Sequence, residues 1–115
     1  MATDRLYIKE GTTSSIDMQL LADGKAIDLS TAAYIRLTML DSLKAVYHYN
    51  SNDAVPAVTI TTASSGEISF LAPNQTIFRY NKSPYKVVVW VFSSNGQRYA
   101  CPEMGASLIY VEPEY

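Results

Sequence analysis

Apolar and polar positions alternate along this chain in short bursts, each closed by a cluster of turn formers. In the clearest burst Ile16, Met18 and Leu20 alternate with Ser15, Asp17 and Gln19. That period of two marks a strand with one buried face. Asp23-Gly24 follows and supplies the positive φ values that a tight hairpin turn needs. A second alternating run, Ile35-Arg36-Leu37-Thr38-Met39, comes next. Read through to the end, the pattern predicts strands at 6–9, 14–22, 25–28, 34–40, 45–49, 57–61, 67–71, 85–92, 97–101 and 108–111. Asp41-Ser42, Ser64-Ser65-Gly66 and Ser94-Asn95-Gly96 separate several of them, and the last is a strong hairpin signal. Residues 51–56 read as a polar loop, and 72–81 is the longest stretch without alternation, with room for one short helical turn. No segment sustains a helical period. The fold class is therefore all-β: a two-sheet antiparallel sandwich of about seven to nine strands with little or no helix. Its expected core includes Ile16, Met18, Leu20, Ile35, Leu37, Met39, Ile68, Phe70, Val87, Val89 and Val91.

One run breaks the alternation. In Tyr85-Lys86-Val87-Val88-Val89-Trp90-Val91-Phe92 both parities are apolar. A sandwich strand normally has one wet face, so the row Val88, Trp90 and Phe92 needs a cover. Either the 72–81 segment folds back over it or a neighbouring chain does. Val88, Trp90 and Phe92, with Tyr47 and Tyr49, are the candidate protein-interface residues.

Composition narrows the picture without adding chemistry. At 115 residues the chain reads as a single domain over 1–115, because a second core would be too small to support itself. Nine Tyr stand against three Phe and one Trp, and Tyr suits edges, interfaces and half-buried strand positions. Net charge is −2, with Lys and Arg dispersed singly. No clustered basic stretch of the kind phosphate neutralisation needs is visible, so no nucleic-acid partner is expected. No apolar run has the length of a membrane span, and the opening residues lack the apolar core of a secretory signal. The one cysteine, Cys101, excludes an internal disulfide and points to synthesis in a reducing cytosol. Glu112-Pro113-Glu114-Tyr115 follows the last strand directly, so no appended module is expected.

The inventory for catalysis is thin. His48 is the only histidine, and alternation sets it on the face opposite Tyr47 and Tyr49, where a lone His is most often a polar surface residue. Cys101 precedes Pro102 at a strand end and reads as a buried structural thiol. One Cys and one His cannot close a zinc site. Asp17 and Asp28 occupy outward positions, Asp23 and Asp41 turns, and Glu112 and Glu114 the tail. Asn50, Asn52 and Asp53 have the composition of an ordinary polar loop rather than a calcium loop. No phosphate cradle or nucleophile elbow occurs. The expectation is a protein that is not an enzyme, with no cofactor and no metal.

Several turn-plus-strand landmarks occur together: Leu6-Tyr7-Ile8-Lys9 before Gly11, the 16–20 and 35–39 runs flanking Asp23-Gly24-Lys25-Ala26-Ile27-Asp28-Leu29-Ser30, then Ser65-Gly66-Glu67-Ile68, Pro84-Tyr85 and Ser94-Asn95-Gly96. In this the chain resembles the immunoglobulin-like domain at the amino terminus of tailed-phage baseplate upper proteins and related phage fibre proteins. The resemblance implies an immunoglobulin-like sandwich and a non-enzymatic structural role in the virion, as a tail, baseplate or capsid-associated adaptor or decoration subunit. It implies synthesis in the bacterial cytoplasm, present in several copies or as a homo-oligomer, with other phage structural proteins as partners and neither nucleic acid nor membrane. The rival reading is a carbohydrate-binding or surface-adhesion domain, with Tyr47, Tyr49 or Tyr99 stacking on sugar rings.

Overall fold

The computed structural model describes residues 5–101 and 108–113. Eleven strands form in chain order: β1 (Arg5–Lys9), β2 (Ile16–Gln19), β3 (Leu21–Ala22), β4 (Lys25–Ala26), β5 (Ala32–Leu40), β6 (Val46–Asn50), β7 (Val58–Thr62), β8 (Glu67–Phe70), β9 (Tyr85–Ser93), β10 (Arg98–Ala100) and β11 (Leu108–Glu112). Three of them, β3, β4 and β10, have three residues or fewer; the others fall within the expected number. The only helical pieces among the described residues are short 3₁₀ turns at Ala63–Ser65 and Tyr80–Lys82.

Two sheets make the sandwich. The larger has the order β1-β11-β9-β5-β6, with β10 pairing β9 beyond the end of β11, and the smaller has the order β2-β8-β7. One pairing departs from the antiparallel expectation: β1 runs parallel to β11, with Tyr7 beside Tyr110. With β2, β5, β6, β7, β8, β9 and β11 taken as strands B, C, C′, D, E, F and G, these orders are those of an immunoglobulin-like sandwich. The inter-sheet disulfide of antibody domains has no counterpart, since the chain has a single cysteine, Cys101, which is buried. Another hallmark is present. Tyr85 opens β9 fully buried, its hydroxyl donating to the Ile77 carbonyl (2.8 Å) and accepting from the Arg79 N–H (3.0 Å). This is the tyrosine corner that ties strand F to the segment before it.

Every residue of the expected core is buried. Leu29, Val58, Phe78, Tyr85, Ile109 and Val111 join it. The 72–81 segment contributes Ala72 and Phe78 to this interior, and the Phe78 ring meets Phe70 and Tyr85 edge-on. It therefore closes one end of the core. It does not roof the second apolar row of β9.

The run expected as one strand over 14–22 is divided. β2 pairs β8 only to Gln19; at Leu20 the N–H turns to the Gly66 carbonyl (2.8 Å), and β3 then pairs β4 in a separate hairpin. Asp23 and Gly24 make that turn with φ of 52° and 76°, as a two-residue loop with positive φ at both positions requires. Gly66 is needed for a further reason. A Cβ there would lie 2.6 Å from the Ile27 carbonyl oxygen and 2.8 Å from that of Leu20, at φ +67°. Glu114 and Tyr115 lie outside the described residues.

Candidate interaction face

β9 is central to the larger sheet. β5 flanks one side over almost its full length, while β11 and β10 share the other. Val87, Val89 and Val91 point into the sandwich and are buried. Lys86, Val88, Trp90 and Phe92 occupy the outer face. Register decides what stands beside them. Arg36 of β5 lies opposite Trp90 and Tyr34 opposite Phe92, while across the hairpin Arg98 of β10 is opposite Phe92.

The outer apolar row is thus covered in part by its neighbours. Tyr34 and Phe92 stack with ring centroids 4.5 Å apart and planes 10° from parallel. The Arg36 guanidinium lies 5.1 Å from the Phe92 centroid and that of Arg98 5.3 Å from the Trp90 centroid. Arg36 is held there because its Nε donates to Asn50 Oδ1 at 2.9 Å. Long arginine stems shield apolar surface while their heads stay wet, and each cation–π contact at an exposed site contributes about 0.5–1 kcal/mol. Trp90 and Phe92 end up half-buried, and Val88 remains 38 % exposed. Further along the same face Tyr7 stacks on Tyr110 (5.2 Å), with Arg5 5.9 Å from the Tyr110 ring.

Tyr47 and Tyr49 lie elsewhere. Both turn to the inner side of β6, where they pack against the core. Tyr47 donates its hydroxyl to Asp41 Oδ2 at 2.8 Å; burial and then the Asp41 carboxylate push its pKa up. Tyr49 lies against the Phe70 ring, and burial, followed by the Tyr47 and Tyr85 phenols, pushes it to about 12. The five candidate residues therefore fall in two groups, and only Val88, Trp90 and Phe92 share the outer face. Tyr99 is 40 % exposed on β10, its pKa raised by burial and then by Cys101.

Among the other polar side chains singled out in the sequence, Asp28, Asp41 and Asp53 hold loops. His48 faces outward, with Nδ1 3.0 Å from Thr38 Oγ1, whereas Cys101 is buried against the core. Asp53 accepts from the Asn50 N–H at 3.1 Å and ties the polar loop together. Asp41 is 2 % exposed and accepts from the Leu43 and Ala45 N–H groups, each at 2.9 Å, as well as from Tyr47. Burial pushes its pKa up, but those hydrogen bonds and the nearby Lys82 outweigh burial and hold it below the usual carboxylate value.

Sheet formation also sorts charge in a way the chain order conceals. Arg5, Lys9, Arg36, Lys86 and Arg98, five of the nine Lys and Arg residues, share the outer face of the larger sheet. Among the described residues the one carboxylate on the strands of that face, Glu112, is paired with Lys9 at 3.7 Å. On the outside of the smaller sheet stand Asp17, Gln19, Thr59, Thr61, Glu67 and Ser69, with no cation among them. An open groove of about 550 Å³ runs across that face between Asp17, Gln19, Thr61 and Glu67. Dispersion along the chain therefore hid a basic, aromatic face and an acidic one.

Sequence reading missed Tyr34, Arg36 and Arg98. A signal existed for the last. Ser94-Asn95-Gly96 closes the β9–β10 hairpin through the Ser93 N–H to the Gln97 carbonyl at 2.8 Å, and counting outward from that pair sets Arg98 against Phe92. Compared with known proteins, the chain matches no family model, no curated sequence and no solved structure.

Proposed function

We propose that this domain is a non-enzymatic structural subunit of a tailed-phage particle, a tail, baseplate or capsid-associated adaptor or decoration protein, and that it acts by protein–protein assembly. Its place would be the virion after synthesis in the bacterial cytoplasm, and its partners other phage structural proteins, in several copies. The observation that carries the reading is the row of Val88, Trp90 and Phe92, which among the described residues is covered only in part, by arginines of the neighbouring strands. Trp, Tyr and Arg are the residue types that dominate binding energy at protein interfaces. The turn-and-strand resemblance to the amino-terminal domain of phage baseplate upper proteins agrees with it. Sugar binding has less support, because Tyr47 and Tyr49, two of its three tyrosines, are turned inward.

Mass spectrometry and electron microscopy of particles from the phage or prophage that encodes the chain test this. The protein should appear at a fixed stoichiometry and at a defined position. Its absence from purified particles, together with specific retention on a glycan array, would overturn the reading in favour of the sugar-binding one.

A further inference from the structure

We infer that copies of this chain associate head to tail, the basic aromatic face of one copy seating on the acidic face of the smaller sheet of the next. The inference rests on the assembly reading above and names the first partner as a second copy.

Charge complementarity carries it. The outer face of the larger sheet gathers Arg36, Arg98 and Lys86 around Trp90 and Phe92, and no carboxylate stands on β5, β9 or β10 to neutralise them. The outward positions of β2, β8 and β7 carry Asp17 and Glu67 among neutral polar residues. The shapes differ in the same sense. The basic face carries large rings under arginines, and the acidic face has a groove of about 550 Å³ between Asp17 and Glu67. The two faces lie on opposite sides of the sandwich, so each copy can use both at once.

Such a contact is heterologous, and repetition produces a ring if the rotation closes and a filament if it does not. Two identical basic faces would oppose like charges, which disfavours a two-fold contact through this surface. An anionic polymer such as nucleic acid is the other occupant a basic face suggests. It is disfavoured because the chain as a whole carries net charge −2 and its opposite face is acidic, so a long polyanion meets net repulsion.

Two variants test the inference, with folding of each verified by circular dichroism. Arg36→Glu/Arg98→Glu loses the basic face and keeps the acidic one; Asp17→Lys/Glu67→Lys does the reverse. In sedimentation velocity at about 50 mM salt the wild type should form oligomers that dissociate as salt rises to about 500 mM, where screening is strong. Each variant alone should have its association weakened at least about tenfold. Mixed together, the two should form a mixed dimer through the untouched faces, as a head-to-tail contact predicts. A wild type that stays monomeric at low salt would overturn the inference, as would a variant mixture that stays monomeric while the wild type associates. Retention of the monomer on heparin or single-stranded DNA, lost in Arg36→Glu/Arg98→Glu, would assign the face to a polyanion instead. Incorporation into particles by a chain that is monomeric on its own would overturn the self-contact while leaving the assembly role intact.

Discussion

Arg98 places its guanidinium 5.3 Å from the centroid of the Trp90 ring, two residues from different strands that meet diagonally across the outer face of one sheet. With Arg36 over Phe92 on the other flank, the pair explains how an apolar row can stand outside the core of a small sandwich. The rings are shielded by neighbours whose charged ends remain available. Shielding of this kind leaves less apolar surface open to water, whereas a large uncovered patch of the same rings would promote aggregation.

The opposite row of the same strand has no such latitude. Val89 is fully buried between the sheets. Val89→Asp places a carboxylate there without a partner, at a cost of several kcal/mol against a total stability of about 5–15 kcal/mol. The variant should be unfolded or aggregated by circular dichroism and gel filtration. A soluble, cooperatively folded Val89→Asp protein would show that the faces of β9 have been exchanged.

The tyrosine corner should be measurable as well. Tyr85→Phe keeps the ring among Phe78 and Tyr47 but removes the hydroxyl that bridges the Ile77 carbonyl and the Arg79 N–H. Two backbone groups then lose a partner, so the loss should be about 1–3 kcal/mol. Urea unfolding should show a lower midpoint with unchanged slope. An unchanged midpoint would mean that the corner contributes nothing to stability.

Gly66→Ala combines an unfavourable backbone with a collision, because φ is +67° and the new Cβ meets two carbonyl oxygens. The penalty should exceed about 1 kcal/mol, whereas Gly24→Ala, with open space around its Cβ, should bear only the backbone part. Thermal melts of the two variants check the order.

Acid sensitivity should centre on Asp41. Its folded pKa is held below the unfolded value, chiefly by hydrogen bonds that overcome burial. The stabilisation is therefore fully present above the unfolded carboxylate pKa of about 4 and is lost as pH falls through the folded one. Asp41→Asn should be less stable than wild type at neutral pH, and the gap should narrow once pH drops below about 4. A gap constant with pH would show that the carboxylate charge plays no part.

These elements also show what could be read from the chain and what could not. Alternation placed Ile16, Met18, Ile35, Leu37 and Val89 in the core, because burial on one face is written directly in the period of two. It likewise set Tyr47 and Tyr49 opposite His48. Which of those faces pointed inward depended on β6 pairing with β5, a tertiary fact. The break after Gln19 was invisible because the strand changes partner without changing its pattern. Phe78 sat in a segment with no period, so its burial came only from the closure of one end of the core. The arginine cover and the basic face needed register across three strands, which single-strand periodicity does not contain.

The most direct test of the central claim is Trp90→Ser, measured as incorporation into the particle alongside the circular dichroism and melting profile of the isolated domain. Because Trp90 lies on the outer face under Arg98, the isolated variant should remain folded, with a spectrum like that of the wild type. It should nevertheless be depleted from purified particles. A variant that unfolds as a monomer, or one incorporated at the wild-type level, would contradict the assignment of this face to assembly.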